Sequence, residues 1–180
     1  MGRCVVSFES QGQRAAARLV ALARCVQGAG GVAQVATAES LTGGMVGSFI
    51  CTVPGASAVY RGGVISYATE VKASVLGVDA ELLAQCGAVD PGVAKSMALG
   101  AARVCGADYG VATTGVAGPE PADGQPVGRV YVAAAHLPTG DVRVLEKNYS
   151  GSRAEIRAQA ARDALLLLSD MLEEKLVATR

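Results

Sequence analysis

The stretch "VAQVATAESLTGG", Val32–Gly44, decides the fold. Its first half, Val32–Thr37, is short, apolar and compatible with a β-strand. Thr37, Glu39, Ser40 and Thr42 then crowd together ahead of two adjacent glycines, Gly43 and Gly44. A turn needs a glycine, but it does not need four oxygen-bearing side chains in front of two. Beyond the polar residues, Leu41–Cys51 has helical composition and ends before Pro54-Gly55. A strand passing through a polar turn into a helix is the beginning of an α/β layer.

The rest of the chain agrees with that start. Upstream, residues 1–10 read as a loose tail, and Gln11–Gln27 as a helix stopped by Gly28, Gly30 and Gly31. Downstream, Ala58–Tyr67 reads as a strand with a glycine irregularity at Gly62-Gly63, and two short helices are expected over Thr69–Leu76 and Ala80–Cys86. Pro91–Cys105 is a further helix, with Asp90 as its N-cap and proline at its first position. Tyr109–Thr114 is an apolar strand, followed by a loop rich in proline and glycine over Gly115–Val127. Arg129–His136 and Val142–Asn148 form a hairpin around "PTGD". The last helix opens with Ser152 and Glu155, a capping box, and repeats apolar residues at helical spacing from Ile156 to Leu172. Helices mixed with strands and an antiparallel end predict an α/β layered domain with a mixed sheet. Residues 11–180 form one domain, without internal repeats.

Composition narrows the function. The 180 residues are 51% hydrophobic but only 4% aromatic, so the core is built from Ala, Val and Leu. Sixteen basic residues balance sixteen acidic ones, which offers no basic face to a nucleic-acid backbone. Cys4, Cys25, Cys51, Cys86 and Cys105 are odd in number and lack C-x-x-C spacing, so they read as buried, reduced thiols. The run Ala164–Leu168 is far short of the ~20 residues that span a bilayer. Val6 stands where N-myristoylation needs Ser or Thr, and no secretory signal is evident. A cytoplasmic protein is expected.

His136 is the sole histidine and lies within an apolar strand, a structural position. Neither a Ser-His-Asp triad nor a multi-His metal site is offered, so no metal is expected, and a hydrolase built on this chain needs a lysine, carboxylate or tyrosine as base. Ser40 is the best nucleophile candidate, since it sits at a strand-to-helix junction where free amides and glycines can hold an oxyanion. Alternatively it is a helix N-cap. Tyr67 and Lys72, in "ISYATEVK", would face apart on one helix but converge across a strand-to-helix junction. With Thr69 as N-cap, the helix dipole and desolvation would both favour a neutral Lys72, a usable base. Its alternative is a surface lysine paired with Glu70 or Asp79. Thr113-Thr114-Gly115 closes a strand, where open α/β sheets bind ligands. Arg153 and Arg157, four apart at the start of the last helix, repel each other and oppose the dipole; a phosphate would resolve both conflicts, as would solvation beside acidic neighbours.

Taken in order, "TAESLTGG", "VPGAS", "YRGGVISYATEVKASVLGV", "GAVDPGVAKSMALGA", "TTGVAGP" and "GSRAEIR" resemble the C-terminal domain of the competence-damage-inducible CinA family, also found as stand-alone nicotinamide-nucleotide amidases. The likeness runs from about Leu19 to the last helix. It implies a three-layer α/β/α sandwich with a mixed sheet, and hydrolysis of nicotinamide mononucleotide to nicotinic acid mononucleotide and ammonia without a cofactor. The resemblance assigns Ser40 as nucleophile, Lys72 as base and Tyr67 as the group that relays or orients the proton. It sets Gly55, Ser57, Thr114 and either Arg153 or Arg157 around the substrate. Thr42 and Gly115 join them, and amides near Gly43 and Gly44 are the expected oxyanion donors. Longer relatives carry an N-terminal molybdopterin-binding-like domain with a separate pyrophosphatase activity, which is not expected here. Three departures stand out: Leu41 replaces a cysteine, the loop "PEPADGQP" lacks the usual run of glycines, and the leading segment "GAGGVAQVATA" is looser than typical. The expected partners are the nucleotide and further copies of the chain in a homo-oligomer, with neither nucleic acid nor membrane. A domain that binds a nucleotide or protein without catalysis, or an amidase for another small carboxamide, is the rival expectation.

Overall fold

The computed structural model describes residues 8–178. The first seven residues of the expected tail, with Cys4, lie outside the described residues, and its last three, Phe8–Ser10, are not tail but the start of the first helix. Five strands, β1 (Val35–Glu39), β2 (Tyr60–Ile65), β3 (Tyr109–Gly115), β4 (Arg129–His136) and β5 (Asp141–Asn148), form one sheet in the order β2-β1-β3-β4-β5. β1 runs parallel to β2 and β3, whereas β3, β4 and β5 form an antiparallel meander. The mixed sheet is therefore as expected.

Helices cover both faces, and this is why the central strands read as unbroken Val/Ala runs instead of alternating. On one face lie α1 (Phe8–Gly28), α2 (Met45–Cys51) and α6 (Arg153–Ala178), around Leu19, Ile50, Leu165, Leu168 and Leu172. On the other lies α5 (Pro91–Cys105), with the shorter α3 (Thr69–Ser74) and α4 (Ala80–Cys86) beside it, around Leu76, Val93 and Met97. Each long helix buries a stripe at helical spacing, such as Ala15, Leu19, Ala23 and Val26 of α1. Small residues let the layers approach closely: a Cβ added at Gly110 of β3 would collide with the Ala98 carbonyl of α5.

Helix ends follow their local chemistry. Asp90 accepts hydrogen bonds from the backbone N–H groups of Gly92 and Val93, and Glu155 accepts from Ser152 N–H and Oγ–H. Three expectations need correction. α2 begins at Met45, not Leu41, because Gly43 (φ 59°) and Gly44 (φ 96°) adopt left-handed conformations that a right-handed helix cannot continue. α3 is capped by Ala68, with Thr69 already its first residue, and no side chain closes it. Cys25, Cys51 and Cys86 are exposed, not buried, and Cys105 is half-buried at the edge of the core around Met97.

Candidate active site

β1 and β2 end level, Glu39 pairing with Ile65, while Glu39 also pairs with Thr113 of β3, which runs two residues further to Gly115. These carboxyl ends lie at one edge of the sheet, the position where open α/β sheets bind ligands. The ladder continues one step beyond the strands: Ser40 N–H donates to the Thr113 carbonyl at 3.0 Å, and Ser66 N–H to the Glu39 carbonyl at 2.9 Å. Ser40 is thereby fixed at its backbone.

Lys72 comes from α3 and is 1% exposed. Its Nζ lies 3.1 Å from Ser40 Oγ, 2.7 Å from the Ser66 carbonyl oxygen and 3.5 Å from that of Tyr67. Among the described residues it forms no ion pair, so the surface pairing with Glu70 or Asp79 does not occur; Asp79 instead caps α4. Burial lowers the lysine pKa below its ordinary value, opposed by the negative charges of Asp123 and Glu70. The direction agrees with expectation but half of the reason differs. Lys72 stands in the last turn of α3, so burial and not an N-terminal dipole accounts for it.

Ser40 and Lys72 open onto a cavity of about 280 Å³. Leu41, Tyr67, Thr114, Gly115, Asp123 and Arg153 also line it. Its roof is the loop between β3 and β4, closed at its stem where Gly128 N–H donates to the Val116 carbonyl (2.8 Å) and Val116 N–H to that of Arg129 (2.9 Å). Thr114 donates its buried hydroxyl to the Ala88 carbonyl at 2.6 Å. Tyr67 is 61% exposed; its hydroxyl accepts from Arg153 at 2.9 Å, and it is the Tyr67 carbonyl that approaches Lys72. Arg153 also donates to the Gly118 carbonyl and so straps the tyrosine to the roof.

Other expected residues stand elsewhere. Arg157 donates to the carbonyls of Leu41 (3.0 Å) and Thr42 (2.8 Å), bracing the turn after Ser40 from behind. Two of its five donors are thus spent on carbonyl oxygens of that turn. Thr42 is fully buried, with Oγ1 2.7 Å from Thr113 Oγ1. Gly55 and Ser57 line a separate cavity beside Tyr60, which opens β2, whereas the site lies beyond Ile65, which ends it. Within one chain they do not reach Ser40. His136 closes β4, stacked on Tyr109 with centroids 4.5 Å apart, a structural role as expected.

Glu39 is the residue whose role the sequence did not disclose. It is 2% exposed, and its carboxylate accepts the backbone N–H groups of Gly44 (2.9 Å), Val46 (3.0 Å) and Gly47 (2.8 Å). The carboxylate is the cap of α2, so Ser40 is not. The glycine amides expected to serve an oxyanion are taken, Gly44 by Glu39 and Gly43 by the Ser40 carbonyl (3.1 Å). The N–H groups of Leu41 and Thr42 have no partner among the described residues. An acid five to eight residues ahead of a glycine-rich helix start was the available signal.

Fold and site together define a three-layer α/β/α protein with a buried lysine against a serine at the carboxyl edge of its parallel strands. A family model, the CinA C-terminal domain, matches residues 22–172, and the chain belongs to that family. A CinA-like protein of Frankia casuarinae is 50% identical over 140 residues, covering 78% of this chain and 32% of the relative. A putative competence-damage inducible protein of Bacillus velezensis is 42% identical over 141 residues, covering 78% and 33%. The chain thus spans about a third of the length of these curated relatives. Among solved structures, a CinA superfamily protein from Klebsiella pneumoniae superposes with TM-score 0.80 at 31% identity, covering 94% of this chain and 99% of that one. The competence/damage inducible protein CihA from Agrobacterium tumefaciens gives 0.78 at 33%, covering 96% and 99%. Among the described residues no helix is long and apolar enough to cross a membrane, and no group of three or more His, Cys, Asp or Glu is placed to hold a metal.

Proposed function

We propose that the domain is a serine–lysine amidase acting on the carboxamide of nicotinamide mononucleotide. The observation that carries the reading is the 3.1 Å contact between Lys72 Nζ, a buried amine without a counter-ion, and Ser40 Oγ. A neutral amine has two N–H groups and one lone pair. The carbonyls of Ser66 and Tyr67 use the two donors, which leaves the lone pair for the Ser40 O–H. Ser40 Oγ attacks the amide carbon while its proton passes to Lys72 Nζ. The Leu41 N–H, at the cavity wall and unpartnered, is the candidate donor to the oxyanion. The C–N bond then breaks, the lysine returns the proton to the leaving nitrogen, and ammonia departs. Water attacks the acyl-serine, gives its proton to Lys72, and the acid is released as Ser40 recovers its hydrogen. Tyr67 and Arg153, bonded to each other at the cavity rim, are assigned to the nucleotide, with Arg153 taking the phosphate. A cationic pyridinium ring is accepted best beside a neutral lysine, which fits the lowered pKa.

A coupled assay of ammonia release from nicotinamide mononucleotide tests the proposal. Equimolar ammonia and nicotinic acid mononucleotide are expected from the parent, and neither from Ser40→Ala. Calorimetric binding of the nucleotide without ammonia release by the parent would overturn the amidase reading in favour of a binding domain.

A further inference from the structure

The loop between β3 and β4 carries two carboxylates, Glu120 and Asp123, and one of them is built into the cavity. Ala122 and Gln125 pair across a tight turn, with N–H to carbonyl bonds of 3.2 and 2.8 Å in the two directions. Asp123 (φ 51°) and Gly124 (φ 70°) are its central residues, both left-handed, the pattern of a type I′ turn. The turn delivers Asp123 Oδ2 to the Ala88 N–H at 2.9 Å, and the Ala88 carbonyl is itself held by Thr114. One residue, through its two flanking peptide groups, therefore ties the roof to the end of β3. Asp123 lines the same cavity as Ser40 and Lys72, and its charge acts on the lysine. Glu120 also lines the cavity but forms no hydrogen bond among the described residues. Arg153 supplies positive charge at the rim, where Gly118 and Tyr67 engage two of its five donors and hold it in place. The cavity is thus polarised, with a fixed carboxylate on the roof and a fixed guanidinium at the rim.

We propose that Asp123 is a specificity-determining residue of this chain, a fixed counter-charge on the roof that selects substrates with a cationic ring over neutral rings of the same shape. The proposal rests on the nucleotide reading given above. The decisive change is Asp123→Asn. Asparagine tolerates the left-handed conformation, suits the type I′ turn and still offers an oxygen to Ala88 N–H, so the charge alone is lost. Two ligands are titrated calorimetrically in a Ser40→Ala background: nicotinamide mononucleotide, and the benzamide ribonucleotide in which carbon replaces the ring nitrogen. With Asp123→Asn, Kd for the cationic ligand is expected to rise about two- to five-fold, the range for a partly exposed charge pair, with the neutral ligand unchanged. Equal changes for both ligands, or none for either, overturn the role of Asp123 and leave the amidase reading intact. A selective loss in Glu120→Gln instead of Asp123→Asn also overturns it. If the Ser40→Ala parent binds neither ligand, the nucleotide reading falls and the counter-charge with it.

Discussion

Replacing Glu39 by glutamine changes one buried atom and tests how the serine turn is held. In the parent, Oε2 accepts from Gly44 and Val46, and Oε1 accepts from Gly47. Glutamine can keep its oxygen at the first position, but its NH2 then confronts the Gly47 N–H, donor against donor. A buried N–H without an acceptor costs about 1–3 kcal/mol, and the two surviving bonds lose their charge assistance, roughly another 1 kcal/mol in all after the relief of burying no charge. The expected loss is about 2–4 kcal/mol, or about 5–15 °C in Tm for a domain of this size. Glu39→Ala strands all three N–H groups and should lose more, about 3–6 kcal/mol. Urea unfolding followed by circular dichroism gives the free energy, with an unchanged m-value showing that the cooperative unit is intact. Ammonia release should fall more than about ten-fold in Glu39→Gln although Ser40 and Lys72 are untouched, because small displacements of reacting groups are costly. An unfolding free energy within about 0.5 kcal/mol of the parent would refute the assignment of Glu39 as the anchor of the turn.

Ser40→Ala should abolish ammonia release while leaving the unfolding midpoint near the parent's; turnover at the parental rate would remove Ser40 as nucleophile. The proposed mechanism needs Lys72 neutral, and burial lowers its pKa, so activity should rise with pH through that lowered value, and Lys72→Arg, which stays protonated, should be inactive throughout. The same shift has a stability sign. Below the lowered pKa the fold must bury an ammonium, and this cost is relieved as pH rises from that value to the ordinary ~10.4, so the parent should gain on Lys72→Met across that window. Urea unfolding from pH 7 to 10 checks it, and a constant difference would contradict a depressed pKa. Arg153→Ala should weaken the nucleotide about ten- to a hundred-fold and the riboside hardly at all, whereas Arg157→Ala, which frees the Leu41 and Thr42 carbonyls, should lower stability and affect both ligands alike. Equal weakening of both ligands by Arg153→Ala would place the phosphate elsewhere.

The elements legible in the sequence were those whose ends are chemically marked. Asp90-Pro91 and Ser152 with Glu155 fix the starts of α5 and α6 through bonds made within three residues, so a local reading suffices. The start of α2 escaped because its cap is not adjacent: Glu39 reaches over five residues to Gly44 and eight to Gly47, and the left-handed glycines between them look like ordinary helix packing residues. The convergence of Ser40 with Lys72 could be raised from the strand-to-helix spacing, but only strand register makes it a contact. The Ser66 carbonyl that holds Lys72 is contributed by backbone, and composition has nothing to say about backbone groups. For Arg153 and Arg157 the like-charge conflict was visible, yet its resolution by carbonyls of residues 35 to 116 positions away in the chain was not.

The stem of the β3–β4 loop separates what the domain does from what it does it to. Val116, Gly128 and Arg129 lock the two feet of the loop together, so the eleven residues between Val116 and Gly128 hang from a closed ring of hydrogen bonds. Lengthening such a loop costs little, about 0.6 kcal/mol for each doubling. Ser40, Lys72 and Glu39 all lie outside it. The roof is therefore an exchangeable part: grafting a glycine-rich segment in place of "PEPADGQP" should leave the serine and lysine in register while rewriting the surface they present to a ligand. Changes in what the domain accepts are then to be sought first in those eleven residues, and changes in how it acts elsewhere.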